Sequence, residues 1–109
     1  MIKNIPFSEP NTLIDLVDYE KGRVISRTFA QNDHLSLTLF AFDRGEGLST
    51  HSAAGDAMVQ VLDGEVTLNI GEKVVIAKTG EVVVMPADIP HSVEAKKPFK
   101  MLLIVVKKT

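Results

Sequence analysis

Residues 57–85 read AMVQVLDGEVTLNIGEKVVIAKTGEVVVM, four short runs of β-branched and aliphatic residues set apart by Asp63-Gly64, Gly71-Glu72 and Thr79-Gly80. Asp-Gly between alternating apolar residues is the strongest short-range hairpin signal, so residues 59–62 are expected to fold back on residues 66–70. Val66, Leu68 and Ile70 alternate with Thr67 and Asn69, the period of a strand with one buried face. Upstream, residues 23–30 and 35–42 are rich in β-branched and large apolar side chains around the polar turn Gln31-Asn32-Asp33-His34, a second expected hairpin. Downstream, Pro86 and Pro90 bracket a loop before residues 91–95, and Lys96-Lys97-Pro98 leads to a last strand at residues 100–106. Eight or nine short strands at this spacing describe an all-β antiparallel barrel or sandwich.

Only residues 8–19 admit a helical reading, with Leu13, Leu16 and Val17 at helical spacing behind a Ser8 cap and Pro10. The expectation is one domain over 1–109, in which residues 1–22 form an N-terminal arm, either a short helix or an edge strand. The composition is that of an ordinary globular chain of 109 residues, 45% hydrophobic and 24% charged. A net charge of −2 lacks the one-sided basicity that tracking a phosphate backbone requires, so no nucleic-acid partner is expected. No apolar run approaches a membrane-spanning length and no leader pattern opens the chain, which points to a soluble, cytoplasmic protein without a membrane partner. The chain has no cysteine, which excludes thiol catalysis, disulfides and thiolate metal sites. Chemistry then rests on three histidines and the carboxylates.

Two runs lack alternation, Val82-Val83-Val84-Met85 and Met101-Leu102-Leu103-Ile104-Val105-Val106. A strand apolar on both sides needs cover on both sides. In a chain this small a second subunit supplies it most simply, so a homodimer is expected; the competing source is the chain's own N-terminal segment.

The segment Gly45-x5-His51-x-Ala53-x3-Ala57-x6-Gly64 is similar in spacing to the first motif of the cupins, G-x5-H-x-H-x3/4-E-x6-G. Gly80-x5-Pro86-x-Asp88-x2-His91-x3-Ala95 resembles the second, G-x5-P-x-G-x2-H-x3-N, and three of five positions match in each motif. The resemblance implies a small single-domain cupin, that is, a jelly-roll barrel or double-stranded β-helix. In complete cupin motifs two first-motif histidines, the glutamate and the second-motif histidine hold one divalent metal, on which isomerases and dioxygenases are built. Here Ala53 and Ala57 stand in two of those four places, so His51 and His91 alone would offer an open, weakly held metal.

Neighbouring residues do not fill the gap. Asp56 is expected to point away from the cavity and bond nearby backbone N–H groups, Gln60 shares its parity, Asp88 belongs to the loop rim, and His34 to an exposed turn. Replacement of motif residues by Ala53, Ala57 and Ala95 removes charge and leaves volume. The expected pocket, lined by His51, His91, Ala53, Ala57 and Ala95, is therefore larger and more apolar than a metal-loaded one and suits a small organic ligand. Three functions compete: a small-molecule-binding barrel, a weakly metal-dependent isomerase or dioxygenase using His51 and His91, and a structural or partner-binding dimer with a vestigial cavity. Phe40, Phe42 and Met85 are left between wall and plain core.

Overall fold

Alternating inward side chains organise residues 1–108, which the structure, a computed structural model, describes. Nine strands follow in chain order: β1 (Val24–Gln31), β2 (Leu35–Phe42), β3 (Gly47–His51), β4 (Gly55–Asp63), β5 (Glu65–Ile70), β6 (Lys73–Lys78), β7 (Val82–Met85), β8 (His91–Glu94) and β9 (Phe99–Lys107). They form a five-stranded sheet, β1-β2-β9-β4-β7, and a four-stranded sheet, β3-β8-β5-β6, with antiparallel pairing throughout. This is the all-β jelly-roll that the strand spacing and the motif resemblance both imply.

Along β4 the pattern is strict: Ala57, Val59 and Val61 are buried while Asp56 and Met58 face outward. They pack against Val66, Leu68, Val93, Met101 and the stacked rings of Phe42 and Phe99, 4.6 Å apart at 4°. The β1–β2 hairpin forms as its turn chemistry dictates. The Asn32 side-chain oxygen accepts from the backbone N–H groups of His34 and Leu35, at 2.7 and 3.0 Å.

Asp63-Gly64 is not a hairpin. β4 lies in the five-stranded sheet and β5 in the other, so the chain turns a corner between sheets there. Gly64 has φ +81, as an Asp-Gly turn requires, but it also lies where a β-carbon would sit 2.5 Å from the Pro98 carbonyl oxygen. Only glycine allows that approach. Thr79-Gly80 turns a second corner, returning the chain so that Ala57 pairs with Met85 and Gln60 with Val82. Of the three glycine turns in residues 57–85, Gly71-Glu72 alone closes a hairpin, with Ile70 opposite Lys73.

The arm forms one 3-10 turn at Leu13–Leu16, with Thr12 rather than Ser8 at its N-cap position and no side-chain cap. Ser8 has φ +64 and cannot serve as an N-cap, whose backbone is extended. Leu13, Leu16 and buried Val17 lie on the outer face of the five-stranded sheet, over Leu37, Leu39, Ala41, Leu62 and Leu102. The contact is fastened by Lys100, whose Nζ donates to the Ile14 carbonyl at 2.6 Å and lies 4.8 Å from the centre of the Tyr19 ring. Tyr19 in turn donates to the Asp63 carboxylate at 2.5 Å. Burial first, then that carboxylate, raises the Tyr19 pKa above the ordinary tyrosine value. Thus the chain's own arm supplies the second cover at Leu102, though not further along β9, where Val106 is exposed. Among the described residues no helix is long and apolar enough to cross a membrane.

Candidate functional site: a paired-histidine cavity

β3 and β8 bring the two motif histidines together. Leu48 pairs with Val93 and His51 with His91, and one extra residue bulges from β3 between those pairs. The bulge matters because Leu48 and His51 are three apart, a spacing that strict alternation would send to opposite faces. With it, both side chains line one cavity. The imidazole centroids are 4.5 Å apart with planes at 66°. The rings are side-by-side neighbours on adjacent strands of one sheet, and Ala57, Met85, Met101, Leu103 and Val105 of the facing sheet close the cavity opposite them.

Each ring is held in the same way. His51 Nδ1 lies 2.8 Å from the Ser49 carbonyl oxygen and His91 Nδ1 lies 3.1 Å from that of Ile89. A carbonyl only accepts, so in both neutral rings Nδ1 carries the proton and Nε2 keeps its lone pair. Neither Nε2 has a hydrogen-bond partner within the described chain, and no buried side-chain nitrogen or oxygen is left unpaired. The Nε2 of His91, a residue only 4% exposed, is therefore reached from the cavity. His51 sits at the solvent-exposed mouth.

The cavity measures about 50 Å³ and its remaining walls are apolar: Leu48, Ala53, Ala57, Met85, Val93, Met101, Leu103 and Val105. It is smaller than expected. Methionine is unbranched and fills irregular gaps, and buried Met85 and Met101 take up the space that alanines at the motif positions leave. Ala95 falls outside the cavity. Its backbone N–H donates to the Glu46 carbonyl and its own carbonyl accepts from Gly45, both at the far end of β8. Phe40 and Phe42 stack beside Phe99 and do not line the cavity either.

The carboxylates stay away. Asp56 Oδ1 accepts from the Ala87 N–H at 2.8 Å, a bond across the sheet edge that orders the loop after β7. Asp88 adopts φ +64 at the rim, donates its N–H to the Ala53 carbonyl at 2.8 Å, and pairs with Lys108. Gln60 faces outward opposite Val82, and His34 remains in the β1–β2 turn. Among the described residues no three His, Asp or Glu side chains are grouped to hold a metal ion. Two imidazole nitrogens without a third protein donor do not fit a firmly held cation, which takes three or four. A shallow cleft of about 460 Å³ lies along Arg44–Ser49 and Val93–Lys96. It is larger, but it is open and contains no histidine.

The walls at Met101, Leu103 and Val105 went unassigned in the sequence because residues 101–106 are uniformly apolar, which hides which parity faces in. Their inward turn follows once Met101 is paired with Val61 and Leu103 with Val59.

Among curated proteins, none matches the sequence. Solved structures do. A conserved protein of unknown function from Streptococcus pyogenes is 38% identical and superposes with a TM-score of 0.97, over 99% of this chain and 95% of that one. A cupin superfamily protein from Desulfitobacterium hafniense is 30% identical with a TM-score of 0.94, over 99% of both chains. A cupin 2 conserved barrel domain protein from Leptotrichia buccalis is 44% identical with a TM-score of 0.84; the match covers 86% of this chain but only 46% of that one. The model of the cupin domain matches residues 38–106, which contain both motif segments and every strand that lines the cavity. The chain belongs to the cupin domain family.

Proposed function

We propose that the chain binds a small neutral organic molecule whose apolar end enters the cavity and whose hydrogen-bond donor lies between His51 and His91. The observation that carries this reading is the pair of fixed Nδ1–H tautomers, which leaves two lone pairs and no donor at the mouth of an apolar cavity. A hydroxyl or an amide N–H satisfies that arrangement, whereas a carboxylate meets like-signed lone pairs while the rings are neutral. About 50 Å³ admits only a few heavy atoms, since one water-sized probe takes roughly 10–15 Å³. The rest of a larger ligand would remain at the rim formed by Ala53 and Asp88.

The test uses isobutanol, isobutyramide and isobutyrate as probes, with binding read from the methionine methyl resonances by NMR. Met85 and Met101 should shift with the alcohol and the amide, and with the carboxylate only once the rings are protonated. A neutral hydrogen bond contributes about 1 kcal/mol, so His91→Ala should weaken binding roughly five-fold or more. Absence of any shift at Met85 and Met101, or binding by the His91→Ala and His51→Ala variants as tight as that of the wild type, overturns the reading.

A further inference from the structure

Two loops frame the mouth of the cavity. Residues 52–54 leave His51 for β4, and residues 86–90 lead from β7 into His91. The second loop is bonded along its length: the Ala87 N–H to the Asp56 carboxylate, the Asp88 N–H to the Ala53 carbonyl and the Pro90 carbonyl to the Gly71 N–H, each at 2.8 Å. Its Ile89 carbonyl is the acceptor that holds the His91 ring. The residue after β9 touches both loops. The Lys108 N–H donates to the Ala54 carbonyl at 3.1 Å, and its ammonium pairs with the Asp88 carboxylate. Asp88 carries local strain, with φ +64 where the cupin motif has glycine. Aspartate tolerates this left-handed conformation, but glycine adopts it freely. Such outliers persist where the surroundings hold them, and they cluster at ligand clamps.

We propose that Asp88 is a positioning residue for the paired histidines: its ion pair with Lys108 clasps the two mouth loops together and keeps the Ile89 carbonyl on His91. Asp88 does not line the cavity and acts through Ile89 and Ala53. Its backbone bond to Ala53 is one that any residue but proline makes. The carboxylate is what reaches Lys108, whose own N–H holds Ala54, so the loops are tied at adjacent residues by two routes. The neighbouring charges are engaged elsewhere, Asp56 with Ala87 and Lys107 with the Asn32 carbonyl at 3.1 Å. Both clasp side chains are more than half exposed, which makes the link weak and sensitive to salt. A guest enters while the loops are apart and is retained while they are joined. The effect of the clasp on binding rests on the ligand proposed above; its effect on the His91 ring does not.

Asp88→Gly removes the carboxylate together with the backbone strain, and Lys108→Gln removes the cation without touching the loop. Both are compared with the wild type in mildly alkaline buffer of low salt, with the rings neutral. Nitrogen NMR of His91 should show the Nδ1–H tautomer in the wild type, and the ratio of Nδ1–H to Nε2–H should fall about two- to five-fold in both variants, the ceiling being the equivalent of ~1 kcal/mol for an exposed pair. Isobutanol binding, followed at the methionine methyls, should weaken by about the same factor. The melting temperature of Asp88→Gly should nevertheless stay within about 4 °C of the wild type or rise. A residue with a structural role alone would lower it and leave the tautomer unchanged. In 1 M salt, where charges are screened beyond roughly 3 Å, wild type and variants should converge. A wild type without affinity for isobutanol would remove the ligand reading and leave the tautomer ratios to decide the clasp. Ratios unchanged in both variants, or a difference from the wild type that persists undiminished in 1 M salt, overturns the proposal.

Discussion

Ala57→Val tests the cavity and its proposed occupant together. Ala57 is 3% exposed on the inner face of β4, with Met85 and Val105 as its cross-strand partners, and all three line the cavity. Valine adds two carbons. Placed in empty space, they contribute about 1.6 kcal/mol at ~0.8 kcal/mol per buried methylene; forced into filled space, they cost roughly 1–3 kcal/mol. A cavity of about 50 Å³ has the room, and a β-branched side chain suits a central strand. Allowing for partial strain, a gain near 1 kcal/mol raises the melting temperature by about 4–8 °C in a domain of this size. Thermal denaturation followed by circular dichroism measures it, and the methionine-methyl titration with isobutanol is repeated on the same sample. The expected result is a stabilised protein that no longer binds. A melting temperature lowered by more than about 5 °C would show that the space is not there. A stabilised variant that binds as before would place the ligand elsewhere.

Gly64→Ala should destabilise by about 2–4 kcal/mol in urea denaturation, combining the ~1–2 kcal/mol cost of a left-handed residue with displacement of the Pro98 carbonyl. A loss under 1 kcal/mol would mean that the corner relaxes freely. Tyr19→Phe tests the arm fastening by hydrogen exchange at residues 13–17, which should lose protection at neutral pH. Because the folded-state pKa of Tyr19 is raised, by burial and then by Asp63, its contribution is present below the ordinary tyrosine value near 10 and is lost as pH rises beyond it. The wild-type arm should therefore loosen in alkali, and the Phe variant should show no such added loss.

How much of this was legible in the sequence depends on what each signal encodes. Alternation fixes parity, so the buried faces of β4 and β5, the outward turn of Asp56 and the inward turn of His91 all follow from counting by two. Turn residues fix local backbone, so the positive φ of Gly64 was readable. Neither signal fixes which strand lies alongside. Asp63-Gly64 bends the chain as an Asp-Gly turn should, yet the segments it joins pair with different partners, β4 with β7 and β9, β5 with β6 and β8. The β3 bulge escaped for the complementary reason. Gly47-Leu48-Ser49-Thr50-His51 carries no local mark of an extra residue, and the bulge is visible only in its register against β8. The motif resemblance carried His51 across that gap, because it compares spacing with a family and needs no parity.

The alanines and methionines of the cavity illustrate the limit of reading a site from the residues it lacks. Ala53 and Ala57 stand where the family motif has donors, and losing a donor does not leave a void of the same size. Close-packed interiors refill from neighbours, here from Met85, which the sequence left between wall and core, and from Met101, hidden in a uniformly apolar run. What persists is the part that packing cannot absorb. Two imidazoles on paired positions, each tied through Nδ1 to a backbone carbonyl two residues earlier, keep their Nε2 lone pairs at the mouth. Refilling shrinks the apolar chamber while the backbone carbonyls hold the polar rim in place, so in the proposed reading the volume limits the size of a guest and the two nitrogens its chemistry.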